Sequence, residues 1–373
     1  MGVGRDRSHA ILLLEDGRCF RGTALGAAAD AFGEVVFHTS MTGYEEILTD
    51  PSYRGQIVAF TTPHIGNYGV NGEDAQAARP ALAGVVVREL SPIASNWRAR
   101  GTLEAWLIER GLPGIGGIDT RALTRHLRER GAMRAGIFRA DEPSPEHLDR
   151  VRSSPGLEGR DLTAEVTTRE PYVVPAEGTK HHRVALVDFG VKRGILRSLA
   201  ARGVELEVLP ASATAADVLA RHPDGVVFSN GPGDPAAVAG GIATARALLG
   251  KLPLLGICLG HQIFGLALGG RTFKLRFGHH GGNHPVRDLR TDEVWITAQN
   301  HGFAVDPDSL PKGEVEATHV SLYDGTLEGL AARKLRLAAV QFHPEGSPGP
   351  SDAQGVFDRW VEELGSGGAG SRR

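Results

Sequence analysis

Leu254-Leu255-Gly256-Ile257-Cys258-Leu259-Gly260-His261-Gln262 is the stretch on which the reading of this chain turns. An apolar run ends at Cys258, and a helix-forming run begins at once, with glycine two residues to either side. This G-x-C-x-G spacing is that of a nucleophile elbow: small flanking residues let a strand turn sharply into a helix and push one side chain out over the sheet. Cysteine at that point sits at a helix N-terminus, whose positive end favours the thiolate. A cysteine buried for packing alone is the competing reading, and the elbow by itself does not decide between them.

Working outward, strands and helices alternate on both sides of the elbow. Val184–Phe189, Val204–Leu209, Gly225–Ser229 and Leu252–Ile257 read as apolar strands. Lys192–Arg202, Ala213–Arg221 and Gly240–Leu249 read as the helices between them. That rhythm builds βαβ units and a parallel sheet covered on both faces. Val294–Ala298, Val315–His319 and Leu337–Phe342 add strands, and Asp352–Leu364 closes with a helix. The first part of the chain has a different texture. Short strands (Ile11–Leu14, Arg18–Arg21, Glu34–His38, Gln56–Thr61) precede helices at Leu103–Arg110 and Thr120–Arg130, the second with Asp119 as its cap. The expected class is therefore α/β, with an N-terminal α+β domain followed by an open, mostly parallel α/β sheet. Residues 1–142 form the first domain, 143–182 a Pro-punctuated linker with a helix at Pro145–Ser153, 183–365 the second domain, and 366–373 a disordered tail.

A base is available where the sheet predicts it. Val340-Gln341-Phe342 runs out into His343-Pro344-Glu345, at the carboxyl end of a strand, where open parallel sheets place their sites. Glu345 can orient His343, and His343 can take the Cys258 proton. Asn230-Gly231-Pro232-Gly233-Asp234-Pro235 follows another strand, and an N–H from it, with that of Leu259, can make an oxyanion hole.

Composition narrows the function further. The 373 residues carry 41 basic and 44 acidic side chains, a net charge of −3, so no basic excess exists to hold a nucleic-acid backbone. Two cysteines, Cys19 and Cys258, exclude a disulfide framework and suit a cytoplasmic location. No run is long and apolar enough for a membrane helix. Only six basic residues are lysine, and residues 1–179 hold none. The chain also lacks a G-x-x-x-x-G-K-[ST] loop, so any ATP chemistry that consumes the product is expected on another polypeptide. The run His279-His280…His284 has no carboxylate or thiolate near it in sequence and is Gly-rich and loop-like, so no metal is expected there.

GICLGHQ around Cys258, NGPGDP at 230–235 and QFHPE at 341–345 resemble the triad-type, class I glutamine amidotransferases. The resemblance extends to the carbamoyl-phosphate synthase small-subunit family through Thr39-Ser40-Met41-Thr42-Gly43-Tyr44, Leu48–Tyr53, Gly66-Asn67-Tyr68-Gly69, Gly117–Arg121, Phe277–Pro285 and Gln299-Asn300-His301-Gly302-Phe303. It implies that Cys258 attacks the side-chain amide of L-glutamine, with His343 as acid/base and Glu345 as its orienter. Gly231 and Leu259 would supply oxyanion-hole N–H groups. Gly233, Gln262, Asn300, Gly302 and Phe303 would hold the substrate's ends, and Ser40 would reach in from the N-terminal domain. The implied partner is the large subunit, which uses ATP and Mg²⁺ to make carbamoyl phosphate from bicarbonate for arginine and pyrimidine biosynthesis. No cofactor is implied on this chain, and the N-terminal domain would serve as a docking surface in a hetero-oligomer. Two other readings remain: a glutaminase feeding a different synthetase, and a non-catalytic interaction subunit.

Overall fold

A computed structural model describes residues 8–366. The tail expected to be disordered lies outside them, apart from Ser366, which ends the helix Gly355–Ser366. The chain forms two compact units, Met1–Leu157 and Glu158–Arg373.

In the first unit, seven strands close into a barrel among the described residues. They are β1 (His9–Leu14), β2 (Cys19–Gly26), β3 (Ala31–His38), β4 (Gln56–Phe60), β5 (Gly84–Val86), β6 (Pro113–Gly116) and β7 (Met133–Phe138), in the order β1-β2-β6-β5-β4-β3-β7. Closure leaves no open strand edge to recruit another chain. Leu12, Ile57, Val58 and Val86 have no measurable exposure, the all-buried pattern of strands covered on both sides. The helix Thr120–Arg130 starts as its sequence predicts, since Asp119 accepts from the Ala122 N–H at 2.9 Å. An N-cap of this kind contributes about 1 kcal/mol.

Among the described residues, the second unit carries ten strands in one sheet. They are β8 (Tyr172–Val174), β9 (His182–Asp188), β10 (Val204–Pro210), β11 (Gly225–Phe228), β12 (Leu254–Ile257), β13 (Arg271–Asp288), β14 (Val294–Asp306), β15 (Glu316–Ser321), β16 (Leu327–Ala332) and β17 (Leu337–Val340). Their order is β8-β10-β9-β11-β12-β17-β16-β15-β13-β14. The middle five, β10-β9-β11-β12-β17, are parallel. Antiparallel strands flank them. Alternation along β9 sends Ala185 and Val187 into one core and Val184 and Leu186 into the other. The first core takes in Leu259, Ile263 and Phe264 of the helix Leu259–Ala267. The second takes in Ile195 and Leu199 of Arg193–Ala200, with Phe357 and Trp360 of Gly355–Ser366. Helices on both faces are what completely buried parallel strands require.

Residues 143–182 are divided between the units. The helix Pro145–Ser153 buries Val151 against Ile11, Leu13 and Phe138 of the barrel, whereas β8 pairs with β10 of the sheet. The Gly-rich run 277–285, expected as a loop, lies instead inside β13, paired with β14 through His279↔His301, His280↔Asn300 and Gly281↔Gln299. Register shifts on either side of that triplet bulge the strand, and Gly278 turns it at φ 72°. Glycine marks a bulge in a strand as readily as a loop, and the partner strand decides between them.

At the elbow, a Cβ on Gly260 would stand 2.1 Å from the Phe228 carbonyl oxygen. Gly260→Ala is therefore expected to lower the melting temperature of the second unit by several degrees, corresponding to about 1–3 kcal/mol. Differential scanning calorimetry checks this, and an unchanged melting curve would contradict the close approach.

Candidate active site

Cys258 occupies a backbone conformation that L-residues avoid, φ 54° and ψ −103°, which costs about 1–3 kcal/mol. The surroundings hold it there. Its N–H donates to the Val340 carbonyl at 2.9 Å, continuing the β12–β17 ladder past Ile257, and its carbonyl accepts from the Gln262 N–H at 3.2 Å. The Gly260 N–H donates to the Ser229 carbonyl at 3.1 Å, tying the new helix to the end of β11. The Cys258 side chain is buried, and its Sγ lies 3.6 Å from the Asn300 carbonyl oxygen.

His343 directly follows Phe342, three residues beyond the end of the neighbouring strand, so Cys258 and His343 leave adjacent parallel strands at the same end of the sheet. Adjacent strands are about 4.8 Å apart. The His343 N–H donates to the Ala298 carbonyl at 2.9 Å. In the ring, Nδ1 is 2.8 Å from Glu345 Oε1, while Nε2 is buried with no hydrogen-bond partner among the described residues. This tautomer-setting contact leaves Nε2 as the nitrogen available to a thiol.

Behind Glu345 stands a residue that the motif reading missed. Lys192 Nζ lies 2.7 Å from Glu345 Oε1, with side-chain exposures of 2% and 0%. Burial works against ionisation of Glu345, but the charges of Lys192 and His343 outweigh it and bring its pKa down to about 2. A buried ion pair of this kind is costly to break, at about 3–5 kcal/mol for loss of one partner. Lys192 caps the helix Arg193–Ala200. Its N–H donates to Asn230 Oδ1 at 3.1 Å, and Asn230 Nδ2 donates to the Gly190 carbonyl at 2.9 Å. The loop 230–235 and the buried lysine are thus fixed to each other. The signal in the sequence is a scarce residue: one of six lysines, four residues past the end of an apolar strand.

The other expected site residues divide into three groups. Gly231 and Gly233 lie in the loop after β11, and Leu259 opens the helix, where first-turn N–H groups have no intrahelical acceptor. Gln262, Asn300, Gly302 and Phe303 are brought together by the helix Leu259–Ala267 and β14. Gln262 Nε2 donates to the Phe303 carbonyl at 2.7 Å and to Gln341 Oε1 at 3.0 Å. Asn300 Oδ1 is 3.0 Å from His280 Nδ1. Ser40 belongs to the first unit, where its hydroxyl is 2.9 Å from His38 Nε2 and its carbonyl accepts from Thr62 Oγ1 at 2.8 Å. The second cysteine, Cys19, lies in β2 and is half-buried.

Comparison with known proteins matches residues 12–137 to the family of the carbamoyl-phosphate synthase small chain, CPSase domain, and residues 185–362 to class I glutamine amidotransferase. A carbamoyl phosphate synthase small chain of Streptomyces avermitilis is 52% identical over 369 residues, covering 97% of both chains. One from Syntrophotalea carbinolica is 50% identical, covering 95% of this chain and 97% of that one. A chloroplastic small chain of Oryza sativa is 48% identical, covering 96% of this chain and 82% of the relative.

Two outcomes test the buried charges. Lys192→Met is expected to lower kcat for glutamine hydrolysis about a hundredfold or more with a smaller change in KM, because His343, the candidate base, loses its oriented carboxylate while the candidate substrate contacts are untouched. Steady-state kinetics check the split. Glu345 has its pKa depressed on folding, so its stabilising contribution is complete above about pH 4.5 and fades as pH falls towards 2. Acid denaturation followed by circular dichroism should show Glu345→Gln with a shallower pH dependence across that window.

Proposed function

The chain belongs to the carbamoyl-phosphate synthase small-chain family, and on that premise we propose that Cys258, His343 and Glu345 carry out its glutamine hydrolysis. The observation that carries this assignment is the buried series Lys192, Glu345 and His343, with 2.7 Å and 2.8 Å contacts, beside a strained cysteine on the adjacent strand. The proton of the Cys258 thiol passes to His343 Nε2, and Sγ adds to the side-chain amide carbon of L-glutamine. N–H groups of Leu259 and Gly231 hold the resulting oxyanion. Collapse breaks the C–N bond, His343 returns the proton to the leaving nitrogen, and ammonia departs from a glutamyl thioester. Water, deprotonated by the same imidazole, then cleaves the thioester to glutamate and restores the thiol. Glu345 stabilises the imidazolium in both halves, and Lys192 keeps Glu345 ionised.

Gln262, Asn300, Gly233, Gly302 and Phe303 are the residues assigned to the α-amino and α-carboxylate ends of glutamine, and Ser40 is assigned to the substrate by the resemblance of its motif. The ammonia serves a large partner chain in a hetero-oligomer, where ATP and Mg²⁺ convert bicarbonate to carbamoyl phosphate for arginine and pyrimidine synthesis. The missing phosphate loop and the lysine-free first 179 residues support placing the nucleotide chemistry on that partner. None of the described helices is long and apolar enough to cross a membrane, and the two free thiols fit a cytoplasmic setting.

Cys258→Ser, assembled with a large chain, is expected to lose glutamine-dependent carbamoyl phosphate synthesis by more than about a thousandfold while keeping synthesis from added ammonia. Retained glutamine-dependent synthesis would remove Cys258 as nucleophile. Loss of both activities would mean that the substitution disturbs assembly.

A further inference from the structure

Three strands behind Asn300 converge on a second cluster of titratable groups. β13 supplies His279, β14 supplies His301 and β16 supplies Glu328, with exposures of 5%, 5% and 0%. His279 Nδ1 is 3.5 Å from Glu328 Oε1, and His301 Nε2 is 4.0 Å from the same oxygen. All three atoms lie within 4.8 Å of one another. Each is buried, and none makes a hydrogen bond of normal geometry with any described residue. Three unsatisfied polar atoms converging in one interior spot would cost several kcal/mol if nothing joined them.

We propose that His279, His301 and Glu328 bind one divalent transition-metal ion of the zinc type. Ligands at about 2.0–2.1 Å around a tetrahedral ion stand about 3.3 Å apart, so binding one would draw the two imidazoles towards each other and the His301 ring towards Glu328, while His279 Nδ1 already stands 3.5 Å from Glu328 Oε1. The outward atom of every ligand is already held. His279 Nε2 is 2.8 Å from Asp324 Oδ2, the His301 Nδ1–H donates to the Phe303 carbonyl at 2.8 Å, and Glu328 Oε2 accepts from Gln299 Nε2 at 2.7 Å. Such partners fix the tautomer and aim of metal-binding histidines. Here they direct Nδ1 of one ring and Nε2 of the other at the shared carboxylate oxygen. Two imidazoles and a carboxylate suit zinc and leave a fourth position for water. His284 packs beside His279, with ring centroids 5.3 Å apart, and its buried Nδ1 has no hydrogen-bond partner among the described residues. The carboxylate that was missing near the histidines in sequence thus arrives from a distant strand. The ion's position is structural: it clamps β13, β14 and β16 together directly behind the Asn300–Phe303 segment.

The full chain, purified without a metal-binding tag, equilibrated with Zn²⁺ and desalted, is expected to carry about one zinc per chain by mass spectrometry of the metal. Cys258→Ser should retain it, which separates this site from the thiol. Glu328→Gln should lose most of it. The wild-type melting temperature should fall by several degrees on chelation and recover with Zn²⁺. A wild-type chain that takes up neither Zn²⁺ nor Co²⁺ and melts identically with chelator overturns the proposal, leaving a protonated His279 between two carboxylates. Full zinc content in Glu328→Gln would overturn it equally. The measurement reads metal content and stability, so it stands or falls separately from the assignment of Cys258.

Discussion

The Cys258 N–H donates to the Val340 carbonyl at 2.9 Å, one rung beyond the last paired residues of β12 and β17. That parallel pairing is the constraint from which the rest of the candidate site follows. It brings Cys258, the proposed nucleophile, and the segment leading to His343 side by side, and it anchors the strained backbone at φ 54°. A parallel ladder has evenly spaced bonds and no hairpin to hold its register, so register here depends on burial. Leu255 and Ile257 go to one core, and Leu254 to the other. A slip of one residue would exchange the two faces and turn Cys258 away from His343.

A second set of contacts acts on charge rather than position. A buried glutamate is ordinarily driven towards its neutral form, and a neutral Glu345 could not stabilise an imidazolium. Lys192 reverses that balance at 2.7 Å. Asn230 joins the lysine's backbone to the loop 230–235, so the cation that keeps Glu345 ionised and the loop proposed for the oxyanion are held as one piece. Displacing either one would move the other.

Much of this was legible along the chain. The G-x-C-x-G elbow, the Asp119 cap and the alternation of strands and helices from β9 to β12 are local signals, set within a few residues by sterics and backbone hydrogen bonding. Those elements stand close to where the spacing predicted them. The helix Ala215–Leu219 is shorter than the expected 213–221, as helix ends commonly are. The failures were non-local. The run 277–285 looked like a loop because glycine carries no periodic signal, and only its pairing with β14 makes it a strand. Lys192 looked like an ordinary helix-opening cation, since nothing near it in sequence announces Glu345.

Two local features, a cysteine on a strand-to-helix turn and a histidine with a carboxylate two residues on, carry the proposed chemistry in the primary structure itself. Backbone geometry and short-range spacing encode those features directly. Tertiary structure alone decided which cation neutralises Glu345, which nitrogen of His343 is left for the thiol, and that Glu328 meets His279 and His301. The first and last of these contacts join residues far apart in the chain, and the second joins neighbours whose rings and carboxylates meet only in the packed interior. Their energies come from removing charges and dipoles from water, which happens only once the sheet and its two covering layers have packed.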